Sequence, residues 1–559
     1  MKGLCRKLSV LLAIVLCFAF CGCTVAGSGK DKDKDVDAVD KGDYSQYTKL
    51  TIDGGGQNVA YNTTSSLIYD KYTNPYPYNT LERLVEEWNK AHAAEYGYYF
   101  DVASSSINND RETMVPMLNG GTAPEIIYYL QTTIAEDQNK GWFYDLKNVM
   151  EQPNKYSKSG EDGSVRWRDL YTDEQYRSFF SPNGQMFTVA LEQNPIGILY
   201  NKTLFEAAGI TKEPQTYKEF MEAQDKLNAY AVSVGRGDKN DDLKYICPYN
   251  VVYPWYDSFL ETSIMGDVME YMDVIEVDGF INAEEYVRAF MTRDPNAEPD
   301  ASDKNKSRLY SPDHDRIAEL YRLIKQMCKY YPTNWRSYYS TQQFTVGNLA
   351  MLEVTGGDIR ELIDTVDGDF EVGVFAYPKL ETQPQNEPQN DYYTTFNEGN
   401  YYVQRGLSGY STGWAISNSA MNKDKAAGND KCVNACIDLL MWLSCFENNE
   451  KMVNELGFAI PLSGNTTYEY FKPLAELFKS DCENEKALAW SAATAGGAMN
   501  KNYYDATYLF RQNTLDSSAS IKKSLGTLVS SFTSAANLLY QQNGWNMSAW
   551  PSWGTSNKN

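Results

Sequence analysis

Pro182-Asn183-Gly184-Gln185-Met186-Phe187-Thr188-Val189-Ala190, resumed at Gly197-Ile198-Leu199-Tyr200-Asn201-Lys202, is the stretch that decides how this chain folds. Met186 to Ala190 and Gly197 to Tyr200 read as two extended segments. Between them, Glu192-Gln193-Asn194-Pro195 interrupts the apolar pattern with polar side chains and a proline. Leu204-Phe205-Glu206-Ala207-Ala208-Gly209-Ile210 and Glu213-Pro214-Gln215-Thr216-Tyr217 come next. Thr216-Tyr217-Lys218-Glu219 is a capping box, in which hydroxyl and carboxylate satisfy each other's backbone amides. The helix it opens turns Phe220, Ala223 and Leu227 inward.

Upstream, the chain alternates strand and helix. Lys49 to Asp53 alternates like a strand and runs into Gly54-Gly55-Gly56. Asn79-Thr80 begins a helix with Leu81, Leu84, Val85 and Trp88 on one face. Tyr98 to Val102 is a second strand and Arg111 to Leu118 a short helix closed by Gly120-Gly121. Glu125 to Leu130 is a third strand. This order predicts a parallel α/β sheet, with ligands at the carboxyl ends of the strands: Gly54 to Asn58, Ala103 to Asn109 and Tyr129 to Thr133. Downstream, Cys432 to Phe446 is apolar nearly all round and predicts a buried helix. Asp294 to Asn305 and Glu381 to Asn400 read as polar insertions, and no internal repeat is present.

Charge and residue usage exclude several functions. The net charge of −23 opposes nucleic acid and anionic lipid, both of which need a basic face. Only two histidines, His92 and His314, are available for imidazole chemistry, against 43 tyrosines and 11 tryptophans whose flat rings can stack on sugars or bases. The segment before residue 24 carries Lys2, Arg6 and Lys7, then an apolar run from Leu8 to Phe20 too short to span a bilayer, then Phe20-Cys21-Gly22-Cys23. This resembles a bacterial lipoprotein signal, which implies a signal peptide over 1–22 and diacylation of Cys23. An ordinary secretory signal cut nearby is the alternative. Residues 23–47 read as a flexible tether, with a Lys-Asp alternation from Lys30 to Asp35. The lipid anchor would then be the only membrane contact, on the outer face of the cytoplasmic membrane. Cys247, Cys328, Cys432, Cys436, Cys445 and Cys482 lie beyond the leader without zinc-site spacing. The chain beyond the leader is too long for one compact core and predicts two or more domains.

Four further pieces join the opening stretch in order. They are Gly121-Thr122-Ala123-Pro124-Glu125-Ile126-Ile127, Phe344-Thr345-Val346-Gly347-Asn348-Leu349-Ala350-Met351, Gly413-Trp414-Ala415-Ile416 and Leu456-Gly457-Phe458-Ala459-Ile460-Pro461. The ordered set is similar to extracellular solute-binding proteins family 1, the maltose-binding-like receptors of sugar ABC transporters. The resemblance covers roughly residues 48 to 540. It implies an α/β, two-lobed periplasmic-binding-protein-like fold with a hinge and an interlobe cleft. The chain would cross between lobes near Val189 to Pro195, near Phe375 to Pro378 and past Pro461. Lobe 1 would then comprise 48–190 plus 379–462, and lobe 2 would comprise 196–374 plus 466–559. The implied protein acts as a monomer and does no chemistry. It needs no cofactor and hands a small solute, an oligosaccharide by this resemblance, to ABC permease subunits.

Sugar recognition needs flat apolar faces and planar polar groups. Carried over by position, the resemblance implies Tyr129 as a stacking ring, with Gln131 just beyond it, and Asn194 as a polar cleft residue. Tyr253, Trp255 and Tyr256 fall in the second lobe's stacking segment. At Thr355-Gly356-Gly357-Asp358 the maltose-binding pattern has a Trp after the first glycine, whereas this chain has Gly357 and Asp358, so the platform is rebuilt. Tyr410, Trp414, Tyr503 and Tyr504 are further rim candidates. Core packing is the competing explanation for every aromatic, since they make up 14% of the chain. Asp238, Asn240 and Asp242 resemble the start of a calcium loop, but Leu243 replaces the turning glycine. Gly409-Tyr410-Ser411-Thr412-Gly413 matches a serine-hydrolase elbow only formally, because a strand pattern comes after it and both histidines precede Ser411. A glycan-binding adhesin without a transporter and a polysaccharide-degrading enzyme are the rival functions.

Overall fold

The computed structural model describes residues 36–55, 68–69, 76–103, 110–130, 133–157, 165–171, 176, 179–181, 183–241, 243–251, 255–269, 283–292, 308–366, 368–396, 401–402, 412–481, 486–487, 508–515 and 521–550. Four hydrophobic clusters, two about each main sheet, divide them into two lobes, each a sheet covered by helices.

The first lobe opens with β1 (Thr48–Ile52), α1 (Thr80–Tyr96), β2 (Tyr98–Val102), α2 (Arg111–Gly120) and β3 (Ile126–Leu130). β1 pairs parallel with β2 from Thr48↔Tyr98 to Ile52↔Val102, and with β3 at Ile52↔Ile126. α1 buries Leu81, Leu84, Val85 and Trp88, the face its spacing predicts. Its cap differs from the prediction. The Asn79 side chain donates to the Asp37 carbonyl at 2.7 Å instead of capping, and the carboxylate of Glu455 accepts the Thr80 N–H at 2.9 Å. The first turn is thus completed from a distant helix.

β4 (Thr188–Val189) and β9 (Thr412–Ile416) finish this sheet in the order β2-β1-β3-β9-β4. β9 is antiparallel to both neighbours, with Trp414 opposite Tyr128 and Val189. The sheet is therefore mixed and not purely parallel. β9 enters after a long excursion through the other lobe, so no crossover helix imposes a parallel direction on it. α8 (Lys431–Ser444) is the predicted buried helix and packs on α1. Its one buried acid, Asp438, accepts the Trp88 indole N–H at 3.1 Å and the Tyr156 hydroxyl at 2.8 Å and pairs with Lys155 at 2.7 Å.

The second lobe contains β5 (Ile196–Asn201), α3 (Tyr217–Ser233), β6 (Asn250–Val251), α4 (Trp255–Met269), α5 (Ala283–Met291), α6 (Asp315–Met327), β7 (Met351–Thr355), α7 (Gly356–Val366), β8 (Val372–Phe375) and α9 (Ile521–Asn543). Its sheet has the order β8-β5-β7-β6, with β6 and β7 parallel and the other pairs antiparallel. Both halves of the Thr216–Glu219 capping box form, each at 3.3 Å. Phe220, Leu227, Leu260, Phe290, Ile324 and Phe532 bring α3, α4, α5, α6 and α9 into one core.

One boundary moves. The resemblance places residues 379–396 in the first lobe, but they lie along the second. Lys379 and Tyr217 hydrogen-bond through the backbone at 2.8 Å, Tyr392 donates to Asp225 at 2.7 Å, and Arg322 donates to the Asp391 carbonyl at 2.7 Å. Polar partners on α3 and α6 hold this segment down, whereas Thr412–Ile416 is part of the first lobe's sheet. Among the described residues no helix is long and apolar enough to cross a membrane.

Candidate functional site

The two lobes meet where Glu192-Gln193-Asn194-Pro195 runs beside Phe458-Ala459-Ile460. Gln193 and Ile460 exchange both backbone hydrogen bonds at 2.8 Å, and the Gln193 side chain donates to the Leu462 carbonyl at 3.2 Å. The start of α7 is pressed into this pair. The Gly356 N–H donates to Asn194 Oδ1 at 3.3 Å. A Cβ at Gly356 would stand 2.7 Å and 2.8 Å from Pro195 Cγ and Cδ, and closer still to the Phe458 carbonyl oxygen. Only glycine lets the three segments approach this closely.

On the first lobe, the strand ends carry a buried polar layer. The Trp414 indole N–H donates to the Asp53 carbonyl at 3.1 Å, and its ring meets Tyr128 edge-on at 4.8 Å. The Tyr128 hydroxyl donates to Glu192 at 3.1 Å, which joins the sheet to the crossing segment. Beside it, the Tyr129 hydroxyl donates to Asp137 at 2.7 Å and accepts from Thr133 at 2.7 Å, while Arg111 grips Asp137 at 2.7 and 3.0 Å. Burial and the neighbouring Asp137 carboxylate push the Tyr129 phenol well above its usual range.

On the second lobe, β7 delivers Gly356, Gly357 and Asp358 to the junction. Asp358 Oδ2 accepts the Thr355 hydroxyl at 2.7 Å and the Thr355 N–H at 3.3 Å, and burial raises its carboxyl above the usual range. Further along α7, Arg360 reaches back to the first lobe. Its guanidinium lies 4.4 Å from the Tyr76 ring and 5.3 Å from Phe458 and donates to the Leu456 carbonyl, while Tyr76 donates to Asp364. Away from this clasp, Gln138 of the first lobe donates to Asn543 at the end of α9.

The expected residues divide into three groups. Asn194, Gly357 and Asp358 gather at the junction and are partly exposed. Tyr129, Tyr256 and Trp414 are wholly buried, each with its polar tip hydrogen-bonded inside its own lobe. Gln131, Tyr253, Tyr410, Tyr503, Tyr504 and the Trp255 side chain lie outside the described residues, although Trp255 opens α4. Cys23 and Asp242 lie outside them too. Asp238 accepts the Asn240 N–H at 3.0 Å and its amide at 2.9 Å, the geometry of an Asx turn. Among the described residues no cluster of three metal-ligating side chains occurs. Glu192, Arg360 and the Arg111–Asp137 pair were not singled out from sequence. Glu192 stood in the crossing segment, where an acid beside Asn194 was a readable signal, and the others had none.

The model of the bacterial extracellular solute-binding protein family matches residues 83–463, more than half of the chain. The chain belongs to that family. Solved structures share its fold at low identity. Apo RafE from Streptococcus pneumoniae is 16% identical with a TM-score of 0.50, over 88% of this chain and 98% of that one. A cyclo/maltodextrin-binding protein complexed with maltotetraose is 14% identical with a TM-score of 0.52, over 88% and 97%. A family 1 extracellular solute-binding protein from Bifidobacterium longum subsp. infantis is 17% identical with a TM-score of 0.50, over 87% and 99%. Comparison with curated proteins finds no match.

Proposed function

We propose that this protein is the receptor of an ABC importer: it captures an oligosaccharide between its lobes, closes by hinge rotation and delivers the solute to permease subunits. It works as a monomer, leaves the sugar chemically unchanged, and is held outside the cytoplasmic membrane by acyl chains on Cys23. The observation that carries the reading is the junction itself, where two separately cored lobes meet at paired crossing segments and present partly exposed polar groups. Asn194 Oδ1 is engaged by Gly356, which leaves its amide to donate. Asp358 Oδ2 is engaged by Thr355, which leaves Oδ1 to accept. A donor and an acceptor of this kind suit paired hydroxyls, and Trp255 at the start of α4 would supply an apolar face. Support for a sugar comes from neighbours of the same fold, among them RafE in complex with raffinose and the cyclo/maltodextrin-binding protein with maltotetraose.

A thermal-shift screen with raffinose, maltotetraose and related oligosaccharides tests the reading. A bound sugar at about 100 times its dissociation constant stabilises the fold by about 2.7 kcal/mol. Stabilisation with the sugar recovered intact supports the receptor. New reducing ends, or binding only to insoluble polymer, contradict it.

A further inference from the structure

β7 carries an acid where its apolar pattern calls for a hydrophobe. Glu353 lies between Leu352 and Val354 and is wholly buried. A polar group taken into such a site without partners costs roughly 2–7 kcal/mol. Three donors prevent this. The Tyr249 hydroxyl donates to Oε2 at 2.9 Å, the Tyr377 hydroxyl to Oε1 at 2.8 Å, and the Tyr256 backbone N–H to Oε1 at 2.6 Å. They come from three separate stretches of chain: the segment before β6, the first turn of α4 and the connector after β8. The Tyr256 N–H belongs to the first turn of α4, whose amides have no partner within their own helix, so Glu353 serves as a cap from another strand. Tyr256 closes the circuit, because its hydroxyl donates to the Pro378 carbonyl at 2.9 Å and its ring stacks on Tyr377 at 5.0 Å.

The position of this knot matters. β6 runs parallel to β7 with Val251 opposite Glu353, and β7 ends two residues later at Thr355, against the interlobe junction. We infer that Glu353 is a positioning residue for the solute wall of the second lobe: it ties the first turn of α4 and the end of β6 to connector 376–378, so that wall and connector move as one body. That this wall faces the solute rests on the function proposed above, whereas the tie rests on the contacts alone. The groups facing Glu353 are Tyr249, Tyr256, Tyr377 and Asp257. Asp257 is held by Arg511, whose Nη2 lies 2.7 Å from each oxygen, and so does not compete for the tyrosine donors. Leucine at 353 would fill the space but leave two hydroxyls and an amide without their acceptor.

Hydrogen exchange on the purified protein, read peptide by peptide, tests the tie without any sugar. In Glu353→Ala, exchange should accelerate about tenfold or more in peptides covering the start of α4 and residues 375–378, with α1, β1 and α8 unchanged. Glu353→Gln, which keeps an acceptor oxygen, should exchange like the wild type. Tyr377→Phe should show a smaller acceleration at the same places, and it decides the matter if Glu353→Ala does not fold. Wild-type exchange in Glu353→Ala and Tyr377→Phe, or equal acceleration throughout the second lobe, overturns the assignment. Calorimetry with raffinose and maltotetraose is the separate arm. If wild type binds neither while the local exchange pattern holds, the sugar reading falls and the tie stands. If wild type binds either, Glu353→Ala should weaken it about tenfold, equivalent to about 1.4 kcal/mol, with Glu353→Gln near wild type. Equal affinities overturn the positioning role.

Discussion

Replacing Gly356 by alanine adds a single methyl group at the point where the lobes join. That methyl would stand 2.7 Å from Pro195 Cγ and nearer to the Phe458 carbonyl oxygen. Neither neighbour is the far end of a flexible side chain. One is a proline ring in the first crossing segment, and the other is backbone in the last. The strain can be relieved only by moving α7 away from the junction, which lengthens the Gly356–Asn194 hydrogen bond and loosens the Arg360 clasp on Tyr76 and Phe458. Overpacking of this kind costs about 1–3 kcal/mol. For lobes of about 150–250 residues, that lowers Tm by about 2–12 °C at 2–4 °C per kcal/mol. Gly526→Ala in α9 is the control. Nothing lies within 4 Å of its added methyl, and alanine gains roughly 0.5–1 kcal/mol over glycine in a helix interior. Calorimetric melts should therefore separate the two variants in opposite directions, and X-ray scattering should show sugar-free Gly356→Ala with altered lobe separation. If Gly356→Ala melts with the wild type and scatters identically, the three-segment junction is wrong.

Removing Arg511 alone, as Arg511→Met, leaves Asp257 buried without its partner and should cost about 3–5 kcal/mol in a denaturant melt. The double variant with Asp257→Leu should recover most of that loss, and an additive double variant would contradict a coupled pair. Burial pushes the Glu353 carboxyl from an ordinary value of 4.5 up to about 8. The folded protein therefore holds a proton in that window that the unfolded chain has released, and stability falls as pH rises. Melts across this window should show the wild type losing on the order of 1 kcal/mol per pH unit relative to Glu353→Gln. Parallel curves would refute it. Asn194→Ala and Asp358→Ala should each weaken binding of a sugar found by the thermal screen by about 1–3 kcal/mol, measured by calorimetry with melting points held near wild type.

The parts of the fold that were readable are those whose signals are local. The Thr216–Glu219 capping box, the apolar face of α1 and the all-round apolar run of α8 each decide one element from neighbouring residues. The crossing near Val189 to Pro195 was an expectation of the family resemblance and not of any local pattern. What escaped depends on contacts distant in sequence. The antiparallel insertion of β9 is set by where the chain has travelled, which no local pattern encodes. Glu455 capping α1, and Glu353 collecting Tyr249, Tyr256 and Tyr377, bring together residues from separate segments. The burial of three aromatic candidates escaped for a related reason. Trp414, Tyr256 and Tyr129 sit in the segments expected near the cleft, but the pleat and the first helical turn point their rings into the cores. In a chain this rich in aromatics, sequence position does not separate the two faces.

The most direct test is X-ray scattering of the purified protein titrated with the oligosaccharide that stabilises it best in the thermal screen. A two-lobed receptor should shift from an open to a more compact form in proportion to occupancy, with the sugar recovered unchanged. Saturable binding with no change in dimensions, or no stabilisation by any soluble oligosaccharide, would contradict capture by lobe closure.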